Sequence, residues 1–275
     1  MSTPVTPSLT AQVSATLAKN VPKSVGVASL EAPTADDRLR CLLYGYTNTR
    51  KTTTAALFGG PERTLIISTR DVEQVRIPLR GLGFKPIITA YEPEALMWAL
   101  QFPEKAADAA GFPEWKDMPD RVLVVDDWTE GAQLLVEDNS TNNQGGEVKD
   151  GRKIYGGVKE DVRDVLNVLK KKHIHQIFTA LADENDWAVY PALPKGARRG
   201  LESAFDYVFY MDGDNNKMKT AAFSLPYPAK DQYGKDVTRL RKGFAKRKEA
   251  LEANLLKVDE PMDLRAVWAK VQGAK

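Results

Sequence analysis

The chain has 275 residues, of which 39 are basic and 37 acidic, so its formal net charge is only +2. Its length allows one large domain or two small ones with a sizeable core, and the balanced charge gives no indication about nucleic acid. The single cysteine, Cys41, excludes an intrachain disulfide, and no apolar run approaches the roughly 18–20 residues of a membrane span.

The first 36 residues are rich in Ser, Thr, Ala, Val and Pro and show no sustained hydrophobic period. Such a composition is typical of a linker, so we expect residues 1–36 to form a flexible N-terminal arm. They also lack the charged and then apolar pattern of a signal peptide, and we therefore expect a cytoplasmic protein without membrane association.

From residue 40 onward, short apolar runs alternate with helical patterns. The alternation predicts strands at 40–44, 64–68 and 86–89, and helices at 51–58, 72–82 and 93–101. Strands that alternate with helices are joined by right-handed crossovers into a parallel sheet. The sequence therefore predicts an α/β fold.

The first predicted strand leads into a turn and a helix with the spacing of a phosphate-binding loop. Gly45, Lys51 and Thr52 stand in the register of the P-loop, in which backbone amides and a helix N-terminus surround a β-phosphate. The lysine would reach the β- and γ-phosphates, and the threonine hydroxyl would ligate Mg²⁺. The predicted nucleotide-binding residues are Gly45, Tyr46, Thr47, Asn48, Thr49, Arg50, Lys51, Thr52 and Thr53.

The loop departs from the P-loop pattern at position 50, where Arg50 stands instead of the second glycine. That glycine often has a positive φ, and a residue with a Cβ is strained there by about 1–2 kcal/mol. Two outcomes follow. Either Arg50 turns outward and adds a cation near the phosphates, or the loop opens and nucleotide binding weakens. A third interpretation is a strand, turn and helix without a ligand, because threonine is a common helix cap.

Residues 121–127, RVLVVDD, are a second motif in which an apolar run ends in two carboxylates. Continuous apolar runs are typical of parallel strands covered on both faces, and an aspartate at the end of such a strand can hold Mg²⁺ beside a P-loop. We assign Asp126 to Mg²⁺ together with Thr52. Asp127 is either a supporting catalytic residue or the N-cap of the next helix. A buried strand with a capping aspartate and no metal is the alternative.

The rest of the chain continues the alternation and ends in a basic segment. The predicted elements are a helix at 128–137, a flexible loop at 138–153, a helix at 158–172, strands at 173–179, 187–190, 207–211 and 219–224, and helices at 238–256 and 263–271. In residues 235–248, seven of fourteen residues are Lys or Arg. This segment is either a phosphate-contacting surface or a solvated helix face. We therefore expect residues 236–275 to be a basic helical tail.

Two histidines follow the helix predicted at 158–172. In a strand, His173 and His175 would alternate onto one face, a spacing that can ligate a metal. No third ligand stands nearby in the sequence, so we assign them to the entrance of a strand and predict no metal there.

Five segments together resemble phage nucleotide-binding proteins of the AAA/RecA-like type, a group that includes single-strand annealing recombinases. The segments are YGYTNTRKTTTAALFG, TLIISTRD, RVLVVDDW, EDVRDVLNVLKKKHIHQIFTAL and LPKGARRGLESAFDYVFYM. The resemblance covers residues 38–244. It implies a RecA-like P-loop NTPase core at residues 37–235, with a mainly parallel sheet flanked by helices. It also implies ATP with Mg²⁺ and, for a phage protein, the host cytoplasm.

The resemblance also implies roles for particular residues. In RecA-like ATPases a water-polarising carboxylate follows the strand after the P-loop helix, which makes Asp71 a catalytic candidate beside Lys51 and Asp127. The alternative for Asp71 is the N-cap of the next helix. Thr179 ends the strand that bears a γ-phosphate sensor in the family.

Two further implications concern the loop and the basic segment. Positions 48 and 50, usually glycine in the family, are Asn48 and Arg50 here. These two departures weigh against ATP hydrolysis. Family habit also makes Arg239 or Arg241 a candidate for a finger that reaches the phosphates of a neighbouring subunit.

Three hypotheses about function remain open. The first is an ATPase that assembles as a homo-oligomer on or near single-stranded DNA in phage recombination or replication. The second is a hydrolysis-deficient P-loop scaffold that binds other phage replication, recombination or structural proteins. The third is a small-metabolite kinase, for which the loop at 138–153 is a poor lid.

Overall fold

The structure is a computed structural model that describes residues 38–84, 87–141, 148, 150–195, 198–247 and 255–273. These described residues form one compact unit. The predicted arm at residues 1–36 lies outside the described residues. Within the described residues, no helix is both long enough and apolar enough to cross a membrane.

The described strands join into one mixed sheet of eleven strands. They are β1 (Arg40–Gly45), β2 (Thr64–Ser68), β3 (Ile88–Thr89), β4 (Val122–Asp126), β5 (His175–Glu184), β6 (Ala188–Pro191), β7 (Tyr207–Asp212), β8 (Lys217–Lys219), β9 (Phe223–Lys230), β10 (Asp236–Gly243) and β11 (Asp259–Pro261). The helices are α1 (Lys51–Gly59), α2 (Val72–Leu79), α3 (Pro93–Gln101), α4 (Pro103–Ala109), α5 (Trp128–Ser140), α6 (Gly151–Lys170), α7 (Arg198–Ser203) and α8 (Leu264–Gly273).

The centre of the sheet is parallel and runs in the order β7-β1-β5-β4-β2-β3. Further strands extend it at two places, and all their pairings except that of β6 with β10 are antiparallel. β8 and β11 continue the sheet beyond β7, and β6 pairs with the end of β5 and leads to β9 and β10. The predicted α/β class with a mainly parallel sheet is confirmed.

Helices cover both faces of the sheet, and the alternation of side chains along the strands decides which face each residue joins. In β1, Leu42 and Tyr44 belong to the core that packs against α3, α5 and α6. Cys41 and Leu43 belong to the opposite core with α1, α2 and α8. Because successive side chains in a strand point to opposite faces, an uninterrupted apolar run is what a doubly covered strand requires.

The basic segment is the largest correction to the predicted elements. The helix predicted at 238–256 is wrong over residues 238–247: the first six lie in β10 and pair with β9 in an antiparallel hairpin, and residues 244–247 are not helical. Residues 248–254 of that prediction lie outside the described residues. The turn is closed by Asp231, whose carboxylate accepts the backbone N–H groups of Tyr233 (2.8 Å) and Lys235 (3.0 Å), and by Gly234 at φ 76°. The predicted boundary at 235/236 therefore divides a hairpin, and the predicted tail is not purely helical.

Other predicted boundaries also shift. The strand predicted at 219–224 is replaced by β8 and β9, and α2 ends at Leu79, before Gly81. The loop predicted at 138–153 is helical at both of its ends, in α5 and α6, while residues 142–147 and 149 lie outside the described residues.

The two histidines do not share a strand face. His173 precedes β5 in a left-handed conformation (φ 54°), so the prediction that it shares a strand face with His175 is wrong. His175 is buried, and its Nδ1 accepts the backbone N–H of Leu39 at 3.0 Å. Burial lowers the pKa of His175 to about 4. Among the described residues, no group of three or more His, Cys, Asp or Glu side chains could hold a metal ion.

The C-terminal part of the chain returns to the centre of the sheet. The hydroxyl of Tyr44 in β1 donates to the carbonyl oxygen of Phe244 at 2.6 Å and accepts the Phe244 N–H at 3.2 Å. In α8, Leu264 and Val267 are buried in the second core, and the Nε of Arg265 donates to the Phe58 carbonyl at 2.8 Å. These contacts tie the last residues to the elements around the loop after β1.

Candidate functional site

The predicted site lies at the carboxyl ends of the parallel strands, where ligands bind in open α/β sheets. β1 ends at Gly45 and the chain re-enters a helix at Lys51. A Cβ on Gly45 would lie 2.7 Å from both the carbonyl oxygen of Met211 and Oγ1 of Thr49. Only glycine therefore fits where the loop leaves the sheet.

The loop at residues 46–50 forms a compact turn. Asn48 (φ 65°) and Arg50 (φ 61°, ψ 20°) both adopt the left-handed conformation. The hydroxyl of Thr49 donates to the Tyr46 carbonyl at 2.9 Å, while the side chain of Arg50 is exposed and its Nη1 donates to Oδ1 of Asn216 at 3.3 Å. Of the two predicted outcomes for Arg50, the structure shows the outward one, with the turn into α1 intact.

Lys51 lies inside the turn. Its ammonium group donates to the carbonyl oxygens of Gly45 (2.9 Å) and Tyr46 (2.7 Å). Burial, together with the charge of Arg70, lowers the pKa of Lys51 to about 8. The first-turn N–H groups of α1, including those of Thr52 and Thr53, have no acceptor within the helix, as at every helix N-terminus. A buried ammonium and free amides form a site for an anion.

Thr52 and Asp126 meet beside this loop, as predicted. Oγ1 of Thr52 donates to Oδ2 of Asp126 at 3.0 Å, and the hydroxyl of Thr179 at the end of β5 donates to Oδ1 of the same carboxylate. The donor set is a hydroxyl and one carboxylate. It fits Mg²⁺, which is usually held by one or two carboxylates plus phosphate oxygens and keeps several waters.

Asp127 lies next to this corner and is fully buried. Its Oδ1 accepts the backbone N–H of Glu130 at 3.0 Å, which makes it the N-cap of α5, and its Oδ2 forms an ion pair with Arg70. Burial raises the pKa of Asp127, and the charge of Arg70 opposes that shift. The capping alternative is therefore what the structure shows, and both carboxylate oxygens are engaged.

Asp71 follows β2 and is exposed. It is the N-cap of α2, where its Oδ1 accepts the N–H of Glu73 at 3.0 Å. It also lines a cavity of about 460 Å³ together with Thr47 of the loop, Arg70 and Glu130. The structure therefore brings Asp71 to the edge of the site, although its carboxylate already caps a helix.

A second cavity, of about 540 Å³, lies on the other side of the loop. Three tyrosines line it: Tyr46 of the loop, Tyr210 of β7 and Tyr227 of β9. Arg241 of β10 lies 4.0 Å above the ring of Tyr227 and forms an ion pair with Glu184 at 2.6 Å. The aromatic walls and polar groups form a cleft that can take a flat, polar group such as a nucleobase.

Among the residues that line the 460 Å³ cavity, Arg70 and Glu130 are charged side chains to which sequence reasoning assigned no role. Arg70 has no motif around it, because its ion pair with Asp127 spans 57 positions and depends on the adjacency of β2 and β4. Glu130 had a local signal. An acidic residue three positions after a capping aspartate is the capping-box arrangement at a helix start.

Comparisons with known proteins relate the sequence to one family. A family model described as an AAA domain matches residues 37–242, well over half of the chain. Among solved structures, the crystal structure of the KaiC-like protein PH0186 from the hyperthermophilic archaeon Pyrococcus horikoshii OT3 is similar. The two chains share 16% identity over 74% of this chain and 77% of that one, with a TM-score of 0.38. No protein with a curated description matches the sequence. From the family match over residues 37–242, the chain belongs to the AAA domain family.

Proposed function

We propose that this AAA-domain protein binds ATP with Mg²⁺ at the loop of residues 45–53 and hydrolyses it. The observation that carries the proposal is the contact between Thr52 and Asp126 at 3.0 Å, beside a loop that encloses the ammonium group of Lys51. Two motifs far apart in the sequence thus form one corner, with a cation and helix N–H groups for phosphate and hard oxygens for a divalent cation.

The roles of the residues follow from the chemistry of phosphoryl transfer, in which catalysis is mainly positioning and charge neutralisation. The amides of the loop and of the first turn of α1 orient the phosphates. Lys51 neutralises charge on the β- and γ-phosphates. Thr52 and Asp126 would hold Mg²⁺, which supplies further charge neutralisation when it is bound. Glu130 and Asp71 line the adjacent cavity and are the carboxylates that can orient a water.

Binding is tested by calorimetry with Lys51→Ala. We expect the substitution to abolish ATP binding, because it removes the ammonium group that the turn encloses. Lys170→Ala is a matched control. Lys170 is an exposed lysine at the end of α6, which leads into the amino end of β5, whereas the site lies at the carboxyl ends of the strands. Tight ATP binding by the Lys51→Ala protein would refute the proposal.

The proposal includes a nucleic-acid partner. We propose that several copies assemble on or near single-stranded DNA in phage recombination or replication, with the hairpin of β9 and β10 as the contact surface. Lys235, Arg239 and Lys242 are exposed on the hairpin, and Tyr233 at its turn is 84% exposed. Cations that release counterions and an aromatic ring that stacks on bases are the usual elements of single-strand binding.

The partner is tested by ATP turnover with and without single-stranded DNA at two salt concentrations. We expect stimulation that weakens at the higher salt, and its loss when Lys235, Arg239 and Lys242 are all changed to Ala. Stimulation that is insensitive to salt and to the triple substitution would contradict the role of the hairpin.

A hydrolysis-deficient scaffold is the second candidate function. The observation that favours it is that the carboxylates near the end of β2 are already engaged in other contacts. Asp71 caps α2, and both oxygens of Asp127 are engaged by Glu130 and Arg70. Zero turnover with intact ATP binding, with and without DNA, would favour this candidate over the ATPase.

A further inference from the structure

Arg70 has a fixed position at the carboxyl end of β2. Its backbone N–H donates to Oγ of the buried Ser68 at 3.2 Å, and that hydroxyl donates back to the Arg70 carbonyl at 3.0 Å. The preceding residue, Thr69, donates its hydroxyl to the Asp127 carbonyl at 2.6 Å. These hydrogen bonds to β2 and to the end of β4 therefore fix the position of the Arg70 backbone, from which its side chain extends.

The guanidinium group has donors to spare. Its Nη2 pairs with Oδ2 of Asp127, whose other oxygen accepts the N–H of Glu130. A guanidinium carries five N–H donors in a planar fork, and among the described residues the guanidinium of Arg70 hydrogen-bonds only to Asp127. The side chain is 21% exposed and lines the 460 Å³ cavity beside Thr47 of the phosphate loop. The remaining donors are available to a ligand in that cavity.

Two cations converge on this space. Arg70 is close enough to Lys51 for its charge to lower the pKa of the lysine. Asp127 offsets one positive charge through its ion pair with Arg70. Asp127 and Asp126 both oppose the effect of Arg70 on Lys51, and Asp126 is the carboxylate assigned to Mg²⁺. A phosphate group between the two cations would accept hydrogen bonds from both, and bidentate binding of phosphate is the interaction for which guanidinium is best suited.

The position of Arg70 indicates which phosphate of a bound triphosphate it would contact. Lys51 and the Thr52–Asp126 corner fix the middle of a bound triphosphate, and the tyrosine-lined cavity lies on the opposite side of the loop from β2. With its nucleobase in the tyrosine-lined cavity, a bound triphosphate would extend from the loop towards β4 and β2. The terminal phosphate is then the one nearest Arg70.

We propose that Arg70 exchanges its contact with Asp127 for the terminal phosphate of ATP and thereby makes the site prefer a nucleoside triphosphate over a diphosphate. The inference rests on the proposed function, namely that the loop binds ATP at all. Arg70 would act as a cation supplied from within the same chain, at the strand end where RecA-like ATPases carry a carboxylate.

The test compares two ligands by calorimetry in the presence of Mg²⁺: the non-hydrolysable β,γ-imido analogue of ATP, and ADP. In Arg70→Gln we expect the affinity for the analogue to fall roughly tenfold to a hundredfold, as for the loss of a hydrogen bond to a charged group, and the affinity for ADP to stay unchanged. In Asp127→Asn, which weakens the competing ion pair, we expect the ratio of the two affinities to be kept or raised.

Arg76→Gln is the matched control. Arg76 is an exposed arginine on α2 whose Nη1 pairs with Glu73 at 2.9 Å, so neither affinity should change. If Arg70→Gln does not fold because Asp127 is left buried and unpaired, the double variant Arg70→Gln/Asp127→Asn replaces it. Its two neutral side chains can still hydrogen-bond, and it should show the same selective loss.

Three results are decisive. An unchanged ratio of affinities in a folded Arg70 variant, whether both affinities stay the same or both fall equally, would overturn the inference, because a purely structural role affects both ligands alike. Failure of the unmodified protein to bind either ligand would instead refute the proposed function, and this inference with it. A selective loss for the triphosphate analogue would support it.

Discussion

Arg50 is the residue where the loop departs from the P-loop pattern, and its substitution by glycine tests the physical reasoning about the site. Arg50 is the residue immediately before α1 and adopts φ 61°, ψ 20°. An L-residue with a Cβ is strained in this conformation by about 1–2 kcal/mol, whereas glycine is not. Arg50→Gly removes that strain without moving Lys51 or Thr52.

The expected gain in stability is smaller than the strain itself. Glycine has more freedom in the unfolded chain, which offsets roughly 0.4–1 kcal/mol. The lost hydrogen bond to Asn216 is long, at 3.3 Å, and lies at the surface, so it contributes little. The net effect is a stabilisation of about 0.5–1 kcal/mol, which for a domain of this size raises Tm by roughly 2 °C.

The assay is urea and thermal unfolding of the unmodified protein, Arg50→Gly and Arg50→Ala. The alanine variant is the matched control, because it removes the same side chain but keeps the Cβ and therefore the strain. We expect glycine to stabilise and alanine not to. Equal stability of the two variants, or destabilisation by glycine, would refute the account of the strain.

The same variants report on function. Because the Arg50 side chain is exposed and directed to Asn216, we expect ATP affinity to change by no more than about twofold, the contribution of an exposed charge. A large gain of turnover in Arg50→Gly would indicate a decayed hydrolytic site. A loss of turnover in both variants would show that the guanidinium participates.

Three further predictions concern a buried histidine, a packed glycine and the metal corner. The folded state holds His175 neutral, with a pKa of about 4, while the unfolded chain takes up a proton below about 6.5, so stability is complete above that pH and falls as the pH drops towards 4. Between pH 7.5 and 5 this costs about 2 kcal/mol; His175→Asn should remove that part of the slope in urea unfolding, and an unchanged slope would contradict it. In Gly243→Ala the new Cβ would lie 1.9 Å from the ring of Phe223, so we expect a loss of about 1–3 kcal/mol, whereas Gly156→Ala, with nothing within 4 Å, should not destabilise. Thr52→Val removes the hydroxyl beside the metal position but leaves Asp126, so its ATP affinity should respond less to chelation of Mg²⁺; a response equal to that of the unmodified protein would exclude Thr52 as a ligand.

The sequence was sufficient for the centre of the fold because that part is encoded locally. The strands predicted at 40–44 and 64–68 are uninterrupted apolar runs, and they form β1 and β2 with little or no change in their bounds. The spacing from Gly45 to Thr52 depends only on one turn, and RVLVVDD places Asp126 at a strand end wherever that strand lies in the sheet. The contact between Thr52 and Asp126 could therefore be anticipated.

The parts that could not be predicted depend on partners distant in the sequence. Residues 238–243 carry a pattern that fits an exposed helix, and they become a strand because β9 and a tight turn at Asp231–Gly234 offer a hairpin. The overlooked signal is Gly234, a turn residue that shortly precedes Val237 and Thr238. Both of these residue types favour strands. The pairing of Arg70 with Asp127 follows from the strand order, which no local pattern encodes.

The position of β1 between β5 and β7 has a consequence for how this protein is made. The strand that carries the phosphate loop leaves the ribosome well before one of its two neighbours, which begins only at Tyr207. Until then an apolar edge has no partner and is open to pairing with another chain. A fragment that stops before residue 207 should therefore aggregate rather than yield a smaller working domain. Because Leu264 and Val267 are buried in the core with α1, a shortened form intended for expression must also keep α8.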